Sequence, residues 1–243
     1  MNVHWLQQTE ANVPMEDNWL GTNELQHLGA LRITKRRHDW RLGRWTAKRA
    51  LAAYLKLPAQ PGKLAKIEIR PAPSGAPKVF IAGEPPNLTI SLSHCAGAAI
   101  CALAPSGDLG CDLEIIEPRS ESFVSDYFTR EEQAMIANAV AADRARLVTL
   151  LWSAKESALK ALHEGLRLDT RAVEVHLGDV AHDSGGWTPL CVRYSEGRSF
   201  HGWWQGNEGM IRTVVADPPP EPPILLEVAA HPVDRVYRGT WNG

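Results

Sequence analysis

The chain has 243 residues, 44% of them hydrophobic, and a formal net charge of −2 at pH 7. A chain of this length buries enough apolar surface for one large domain or for two closely associated halves. The small net charge provides no global attraction to nucleic acid or to a membrane surface, so we expect neither as a partner.

The four cysteines show no Cys-x-x-Cys pair and no histidine at a spacing typical of a zinc site. They are predicted to be reduced core residues of a cytoplasmic protein, because disulfides form in oxidising compartments. The longest uncharged run of small residues, from Cys95 to Ala104, is too short to cross a bilayer. No secretory signal precedes Trp5.

The first 20 residues are predicted to be extended, and a helical pattern follows from Asn23 to Leu57 with a break near His38. Leu42, Trp45 and Leu51 form an apolar stripe in its second half. The helical region is rich in basic residues, namely Arg32, Lys35, Arg36, Arg37, Arg41, Arg44, Lys48 and Arg49. Three interpretations stay open: a solvated face, a nucleic-acid surface, and a site for an anionic ligand such as a nucleotide phosphate.

Short alternating segments then predict a series of strands. Residues 67–70 and 79–81 flank a loop at 71–77 that is rich in proline and glycine. Residues 88–93 alternate between apolar and hydroxyl side chains. The strands predicted at 98–103 and 109–115 are joined by Pro105-Ser-Gly-Asp108, a composition that favours a β-hairpin.

The second strand of this pair contains Gly110-Cys-Asp-Leu-Glu114. Because strand side chains alternate, Asp112 and Glu114 leave the same face. Two such carboxylates are also common on an exposed sheet edge. With a third carboxylate from elsewhere, they would form an all-oxygen cluster suited to a hard divalent cation such as Mg²⁺.

A third carboxylate is present in the helical pattern that runs from Asp143 to Gly165. Residues four apart stack on one helix face, so Trp152, Glu156 and Lys160 align, with Lys155 alongside. This arrangement is either a surface ion-pair pattern or part of a phosphate and metal site. Upstream, Thr129 followed by Glu132 predicts a capping box at the start of another helix.

The C-terminal part is predicted to be rich in strands, at 173–177, 190–194, 201–204 and 211–216. Residues 217–223 form a stiff proline-rich spacer, and 224–243 are predicted to return as a last strand or arm. No internal sequence repeat is evident.

The segments 110–114 and Trp152-Ser-Ala-Lys-Glu-Ser-Ala-Leu-Lys160 together resemble the signature of the 4'-phosphopantetheinyl transferases, in the larger type that activates surfactin synthetase. Three shorter elements are also similar to the family pattern, namely Arg41-Leu-Gly-Arg44, Gly75-Ala-Pro77 and Ser91-Leu-Ser-His94. The chain departs from this pattern at Cys111, where the family has Ile or Val, at Ala76, where it has a basic residue, and at Ser91, where it has Asn.

The resemblance implies an α+β fold of two similar lobes related by a pseudo-twofold axis, with the active site between them. The N-terminal lobe would comprise residues 1–106 and the C-terminal lobe residues 107–216. The proline-rich spacer and arm would occupy residues 217–243.

The resemblance also implies an activity, the Mg²⁺-dependent transfer of 4'-phosphopantetheine from coenzyme A to a serine of an acyl or peptidyl carrier protein. Asp112, Glu114 and Glu156 would hold the metal. Glu156 would accept the serine proton with help from Lys155, and Asp112 would belong to the same catalytic set. A monomer is expected. The competing hypothesis is a non-catalytic relative that binds coenzyme A or a nucleotide.

The coenzyme A contacts implied by the resemblance come from several elements: Lys160, Ser91, Ser93, His94, Arg70, Gly75, Pro77, Lys78, Arg37 and Arg41. Which of His27, Arg32 and Arg37 contacts the phosphates stays open at this point.

Overall fold

The computed structural model describes residues 1–178, 186–207 and 209–228, and it has a mixed α+β fold. The α-helices are α1 (Thr22–Ala30), α2 (Thr34–Tyr54), α3 (Pro61–Leu64), α4 (Glu121–Tyr127), α5 (Arg130–Asn138) and α6 (Ala141–Ala161). The strands are β1 (His4–Thr9), β2 (Ile67–Pro71), β3 (Pro77–Ile81), β4 (Thr89–Cys95), β5 (Ala98–Ala104), β6 (Asp108–Ile115), β7 (Val173–Leu177), β8 (Thr188–Tyr194), β9 (Ser199–Asn207), β10 (Met210–Asp217) and β11 (Ile224–Leu225).

Two main sheets organise the described residues. The first has the strand order β11-β1-β5-β4, and the second has the order β6-β10-β9-β8-β7. Strands β2 and β3 form a separate two-stranded sheet. All pairings are antiparallel except the short parallel contact between β11 and β1.

The hydrophobic core lies in three layers. Helix α2 covers one face of the first sheet, and helix α6 covers one face of the second. A third cluster fills the space where the uncovered faces of the two sheets meet. Strand β5 is buried along its whole length because it has packing partners on both faces.

Helix α6 forms where the sequence predicts it, with small shifts at both ends. Its N-cap is Val140, and Asp143 lies in the first turn, where a carboxylate favours the positive end of the helix dipole. The helix ends at Ala161, and both His163 and Gly165 take positive φ angles just beyond it. The capping box predicted at Thr129 and Glu132 is confirmed at the start of α5.

The predicted break near His38 is wrong. The chain leaves helical geometry between Ala30 and Thr34, and α2 continues without interruption through His38. The Arg37 guanidinium donates to the backbone carbonyls of Leu28 and Leu31 at the end of α1. It thereby adds a charged donor to the last carbonyls of α1, which stabilises the helix end seven residues before the predicted position.

The predicted hairpin between residues 98–103 and 109–115 is also wrong. Strand β5 pairs with β1 and β4, whereas β6 pairs with β10 in the other sheet. The loop at 105–107 therefore carries the chain from one sheet to the next. The hairpin forms one connection earlier, between β4 and β5, where Ala96 and Gly97 take positive φ angles.

The strands predicted at 173–177, 190–194, 201–204 and 211–216 are confirmed as β7 to β10. Of the predicted C-terminal arm, β11 is described, and residues 229–243 lie outside the described residues. The lobe boundaries and the pseudo-twofold axis stay predictions. Within the described part of the chain, no helix is both long and apolar enough to span a membrane.

Candidate active site at the junction of the two sheets

The site lies where two edge strands, β4 of the first sheet and β6 of the second, run side by side. Side-chain hydrogen bonds connect them. The backbone N–H of Cys111 donates to Ser91 Oγ at 2.9 Å, and Ser93 Oγ donates to Asp112 Oδ1 at 2.8 Å. The alternating hydroxyls of β4 therefore face the carboxylate strand, and Asp112 lies at the boundary between the sheets.

Gly110 allows β6 to approach helix α6 unusually closely. A Cβ atom at this position would lie 1.8 Å from the backbone carbonyl oxygen of Ser157, a distance that no real contact allows. Gly110, the first residue of the segment 110–114, is therefore required for the close packing of α6, the helix that contains the segment 152–160. The contact brings the carboxylates of β6 within reach of the side chains of α6.

A buried hydroxyl cluster holds the same helix on strand β10. Thr213 Oγ1 lies 2.9 Å from Ser153 Oγ and 2.7 Å from Ser157 Oγ, and it donates to the carbonyl oxygen of Ser153 at 2.9 Å. Thr213 is the antiparallel partner of Asp112 in the neighbouring strand. These hydroxyl contacts therefore hold α6 in register over the carboxylates. Thr213 lies outside both motifs, so the motifs by themselves do not indicate this contact.

Asp112 and Lys160 form the central ion pair. Lys160 Nζ lies 2.7 Å from Asp112 Oδ1 and also donates to the carbonyl oxygen of Cys111 at 3.0 Å. Burial acts to lower the pKa of Lys160, but the attraction of Asp112 raises it above its ordinary value. Lys160 is therefore a cation at neutral pH. The second oxygen of Asp112, Oδ2, is buried and has no hydrogen-bond partner in the part of the chain that the structure describes.

Glu114 lies further along β6 and is bonded to two residues outside its strand. The indole N–H of Trp152 donates to Oε1 at 3.2 Å, and the Arg119 guanidinium lies 3.5 Å from Oε2. Burial and the negative charge of Asp112 raise the pKa of Glu114 to about 7. This carboxyl group therefore changes its charge near neutral pH.

Glu156 lies on α6, near enough to Asp112 and Lys160 for both charges to act on it. Its Oε1 atom is buried and has no hydrogen-bond partner among the described residues. Burial, together with the charge of Asp112, raises the pKa of Glu156, while Lys160 opposes the shift. Two motifs separated by about 40 residues thus each place an unpartnered carboxylate oxygen in the junction. Such oxygens are rare in folded proteins, because each one costs free energy unless a ligand satisfies it.

The chemistry of these donors fits a hard cation, since Mg²⁺ is bound through carboxylate oxygens and substrate phosphates. Within the described residues, however, no group of three or more His, Cys, Asp or Glu side chains is close enough to form a metal site. Lys160 and Arg119 are instead the cations next to Asp112 and Glu114. The predicted three-carboxylate metal site is therefore not shown, and its fit depends on the free oxygens of Asp112 and Glu156.

A cleft of about 260 Å³ opens beside this cluster. Its walls come from four places in the chain, and they include Gly75, Pro77, Ser91, Lys160 and His163. Gly75 has a φ of +91° in the turn between β2 and β3, so a glycine is required for the turn that forms one wall. The structure thus brings four of the predicted coenzyme A residues to one cavity.

The comparisons with known proteins bear on this same region. The family model of the 4'-phosphopantetheinyl transferase superfamily matches residues 108–200. These residues include all three carboxylates and Lys160. Through this segment the chain is similar to the 4'-phosphopantetheinyl transferase superfamily.

A curated relative supports the assignment. The 4'-phosphopantetheinyl transferase HetI of Nostoc sp. (strain PCC 7120) is 26% identical over 149 residues. The alignment covers 60% of this chain and 61% of the relative, so the chain spans about three fifths of that protein's length.

A second groove, of about 590 Å³, lies at the C-terminal end of β4. Ser93 and His94 line it together with three basic residues of α2, namely Lys35, Arg36 and Arg44. Asp39 also lines it and pairs with Lys35 at 2.8 Å. Burial lowers the pKa of His94, which favours the neutral imidazole. The basic residues that accompany His94 are therefore Lys35, Arg36 and Arg44, and the predicted phosphate contacts Arg37 and Arg41 do not line this groove. All three belong to the dense basic pattern of α2. Because α2 begins at Thr34, its first turn places Lys35 and Arg36 at the groove, which the sequence pattern by itself does not indicate.

Two predicted phosphate contacts, Arg37 and Arg41, lie outside both cavities. Arg37 caps helix α1, as described above. Arg41 Nε lies 2.8 Å from Asp17 Oδ1, and its guanidinium also donates to the carbonyl oxygen of Met15 at 3.1 Å. Both side chains are engaged in holding local structure, so the structure argues against their predicted contacts with coenzyme A.

Arg70 and Lys78 lie on the two-stranded sheet beside the cleft. Arg70 NH2 pairs with Glu68 Oε2 at 2.6 Å, and its guanidinium lies 4.3 Å from the ring centroid of Phe80. Lys78 is exposed and lines a neighbouring cavity with Pro77 and His163. Lys78 can therefore reach a ligand at this end, whereas Arg70 is already paired with a carboxylate.

The predicted catalytic role of Lys155 requires correction. Its side chain is fully buried, and Nζ lies 2.8 Å from Glu132 Oε2. The ammonium also donates to the backbone carbonyls of Thr170 and Val173. All three ammonium protons are thus directed toward α5 and the start of β7, and Lys155 does not join the carboxylates of β6. Consecutive residues of an α-helix are separated by about 100° around the axis, so Lys155 lies on a different face from its neighbour Glu156.

Proposed function

We propose that the chain transfers the 4'-phosphopantetheine group from coenzyme A to a serine of an apo acyl or peptidyl carrier protein. One observation carries the proposal: Asp112 and Glu156 come from separate motifs, and each directs a buried, unpartnered oxygen into a junction that also contains Lys160. The match of residues 108–200 to the family model and the relative's name support the same reaction class. The full activity, its substrates and its partners are parts of this proposal.

The proposal includes Mg²⁺, for which the unpartnered oxygens provide suitable donors. Asp112 and Glu156 would hold the ion with Glu114, whose present partners Trp152 and Arg119 would adjust. When bound, the metal supplies positive charge that stabilises the charge developing on the pyrophosphate oxygens during transfer.

The protein's own groups would bind and orient coenzyme A in the cleft between the β2–β3 turn and helix α6. Lys160 is a cation at the inner end of the cleft and would contact the pyrophosphate. Ser93 and the neutral imidazole of His94 can donate hydrogen bonds to phosphate oxygens. The basic residues Lys35 and Arg36 line the adjoining groove and favour an anionic ligand there.

In the proposed reaction, the oxygen of the carrier serine attacks the phosphorus that bears the pantetheine arm. The new P–O bond forms as the phosphoanhydride bond breaks, and adenosine 3',5'-bisphosphate leaves with the electron pair. Glu156 accepts the serine proton, directly or through water. Its raised pKa makes it a better proton acceptor than an ordinary exposed carboxylate.

The alternative is a non-catalytic relative that binds coenzyme A or a nucleotide. Ala76 favours this reading, because it occupies the loop position where the family pattern has a basic residue. Both hypotheses predict coenzyme A binding, and only the first predicts a covalent product. The proposal also includes a monomer with its site between two lobes, since both walls of the cleft come from one chain.

The test is incubation of the full chain with coenzyme A, Mg²⁺ and an apo carrier protein, followed by mass spectrometry of the carrier. We expect a gain of one phosphopantetheine group that depends on the carrier serine. Glu156→Gln should reduce the rate by about 10²-fold or more while the protein stays folded. The matched control is Glu164→Gln, at an exposed carboxylate beyond the end of the same helix.

Unmodified carrier, with coenzyme A binding retained, would favour the alternative. A Glu156→Gln variant that works at the wild-type rate would remove Glu156 from the mechanism and leave the transfer activity in place.

A further inference from the structure

The two longest helices, α2 and α6, share a short sequence pattern. Helix α2 contains Trp45-Thr-Ala-Lys48, and helix α6 contains Trp152-Ser-Ala-Lys155. Both helices are 21 residues long, and the lysine is the fifteenth residue of each. The similarity is local to these four positions, with Thr46 in α2 and Ser153 in α6. The match covers only four residues, which is why periodicity and composition do not reveal it.

In the C-terminal half, the lysine of this pattern is part of a buried ion pair with Glu132. Both carboxylate oxygens of Glu132 have backbone donors. Oε2 accepts from the N–H of Thr129 at 2.9 Å, and Oε1 accepts from the N–H of Val175 at 2.9 Å. Through these bonds the pair of Lys155 and Glu132 joins the start of α5, the middle of α6 and strand β7.

In the N-terminal half, Lys48 forms the same arrangement with Glu24. Lys48 Nζ lies 2.5 Å from Glu24 Oε2, and both side chains are almost fully buried. Glu24 Oε2 accepts from the N–H of Gly21 at 3.0 Å, and Oε1 accepts from the N–H of Ile69 at 3.2 Å. The pair therefore joins the start of α1, the middle of α2 and strand β2.

The two lysine–glutamate pairs agree in their hydrogen-bond partners, in a nearby aromatic ring and in the direction of the lysine pKa shift. In each, the glutamate accepts from the backbone three residues before it, and from the first strand after the long helix. In each, the lysine donates to two backbone carbonyls, those of Trp19 and Leu64 for Lys48. An aromatic ring lies 5.6 Å from Lys48 Nζ and 5.7 Å from Lys155 Nζ. Burial lowers the pKa of both lysines, and the partner glutamate opposes the shift in both.

This agreement assigns a role to Lys155. Among the described residues, the strands on which α2 packs, β5, β1 and β4, contain no acidic residue, so α2 faces no equivalent of Asp112 and Glu114. A buried lysine–glutamate pair of this kind is therefore also present away from the candidate active site. A buried charge that is fully hydrogen-bonded favours one arrangement of its surroundings, since any displacement leaves it unpaired.

We propose that Lys155 is a positioning residue, whose ion pair with Glu132 fixes helix α6 so that Glu156 and Lys160 face Asp112, and that Lys48 and Glu24 form the equivalent pair under α2. The part that concerns Glu156 and Lys160 rests on the proposed transferase function. The pairing itself does not.

The experiment compares two matched sets of variants of the full chain. The first set is Lys155→Met, Glu132→Gln and the double variant, and the control set is Lys48→Met, Glu24→Gln and their double variant. Thermal unfolding and the kcat and KM for coenzyme A are measured for each. We expect every single variant to lower Tm by roughly 10 °C or more, because it leaves one buried charge unpaired.

We expect both double variants to recover most of the lost Tm, because no unpaired charge remains. Lys155→Met and Glu132→Gln should each lower kcat by about ten-fold or more, because an unpaired buried charge displaces α6 from Asp112, and the double variant should regain a kcat within about three-fold of wild type. Single variants that keep the wild-type kcat would overturn the positioning role. A double variant with recovered Tm but a kcat still about 10²-fold down would overturn the proposal, provided that the control double variant is active. Failure of either double variant to recover Tm would also overturn it, since the pairs would not be self-contained.

A second measurement needs no variant. Reductive methylation of the folded wild-type protein should leave Lys48 and Lys155 unmodified and should modify the exposed Lys35 and Lys66. Methylation of Lys155 that coenzyme A prevents would place its ammonium in the ligand site and contradict the proposal. If wild-type protein modifies no carrier, the proposed function fails, while the Tm and methylation results still decide the role of the pair.

Discussion

Helices α2 and α6 have the same length and the same buried lysine, yet only one of them borders a cluster of carboxylates. In α6 the residue after the lysine is Glu156, whereas in α2 the residue after Lys48 is Arg49. The strand packed beneath α6 carries Asp112 and Glu114, whereas β1 beneath α2 has the sequence His-Trp-Leu-Gln-Gln-Thr. The buried lysine–glutamate pair occurs in both halves, and among the described residues the cluster of Asp112, Glu114 and Glu156 occurs beside α6.

This difference separates what holds the fold from what performs chemistry. A residue that has an equivalent in the half without carboxylates, such as Lys155, is explained by packing. A residue without an equivalent there, such as Lys160, needs another explanation, since the matching position in α2 is Ala53. Function resides in side chains added to a scaffold, and the scaffold by itself does not identify them.

The sharpest way to break this comparison is to remove the central carboxylate of the C-terminal half. Asp112→Asn should lower carrier modification by about 10³-fold or more, because it removes the charge that pairs with Lys160 and one of the two unpartnered oxygens. The assay is the mass-spectrometric one. The control is Asp108→Asn on the same strand, where the carboxylate pairs with Arg198 at the surface. Equal losses in both variants would show that the strand, and not the site, is sensitive.

Removing the positive charge tests the same contrast from the helix. Lys160→Ala gives α6 the residue that α2 has at this position. We expect KM for coenzyme A to rise by roughly 10- to 100-fold with a smaller change in kcat, because the lysine contributes mainly to binding the pyrophosphate. Lys66→Ala, at an exposed position of the other half, should leave KM unchanged. An unchanged KM for Lys160→Ala would favour a purely structural ion pair with Asp112.

A third prediction concerns the close contact of β6 with α6, which β1 cannot reproduce because it contains no glycine. Gly110→Ala should lower the free energy of unfolding by about 3 kcal/mol or more, since its Cβ would overlap the carbonyl oxygen of Ser157. Gly29→Ala in α1 has open space around the new methyl group and should be neutral or stabilise by about 0.5 kcal/mol. Urea unfolding of both variants measures the difference. A tolerated alanine at 110 would mean that the strand and helix can separate without loss.

The smallest expected effect is the pH dependence that Glu114 of the C-terminal half contributes. The pKa of Glu114 rises from 4.5 to about 7 on folding. The folded state therefore holds a proton that the unfolded state has released, and the resulting stability is present below pH 4.5 and lost as the pH rises through 7. Without added divalent metal, we expect the free energy of unfolding to fall by about 1–2 kcal/mol across this range, allowing for solvent screening.

Glu114→Gln should remove this part of the pH dependence, because the amide does not titrate. The raised pKa of Glu156 acts in the same direction and should persist in the variant. Urea unfolding at a series of pH values in the presence of a chelator checks both statements. Superimposable wild-type and Glu114→Gln curves would show that Glu114 does not titrate in this range.

Several features of this protein follow from local sequence. The stripe of α6, the capping box of Thr129 and Glu132, and the alternation of β7 to β10 each depend on residues a few positions apart. The two motifs likewise indicate the carboxylates and Lys160, because side chains spaced by two on a strand or four on a helix share a face. Such patterns are readable before the chain folds.

Only the tertiary structure decided which partner each of these faces meets. Residues 105–107 have the composition of a turn, which suits a hairpin and a connection between two sheets equally well. The pairing of β6 with β10 placed Asp112 at the junction of the sheets and not in a hairpin. Lys155 and Lys160 are both lysines on one helix, and they differ because one meets Glu132 and the other meets Asp112. Those partners lie 23 and 48 residues away in the chain. Pairing over such distances depends on how whole layers pack, which local propensity does not encode.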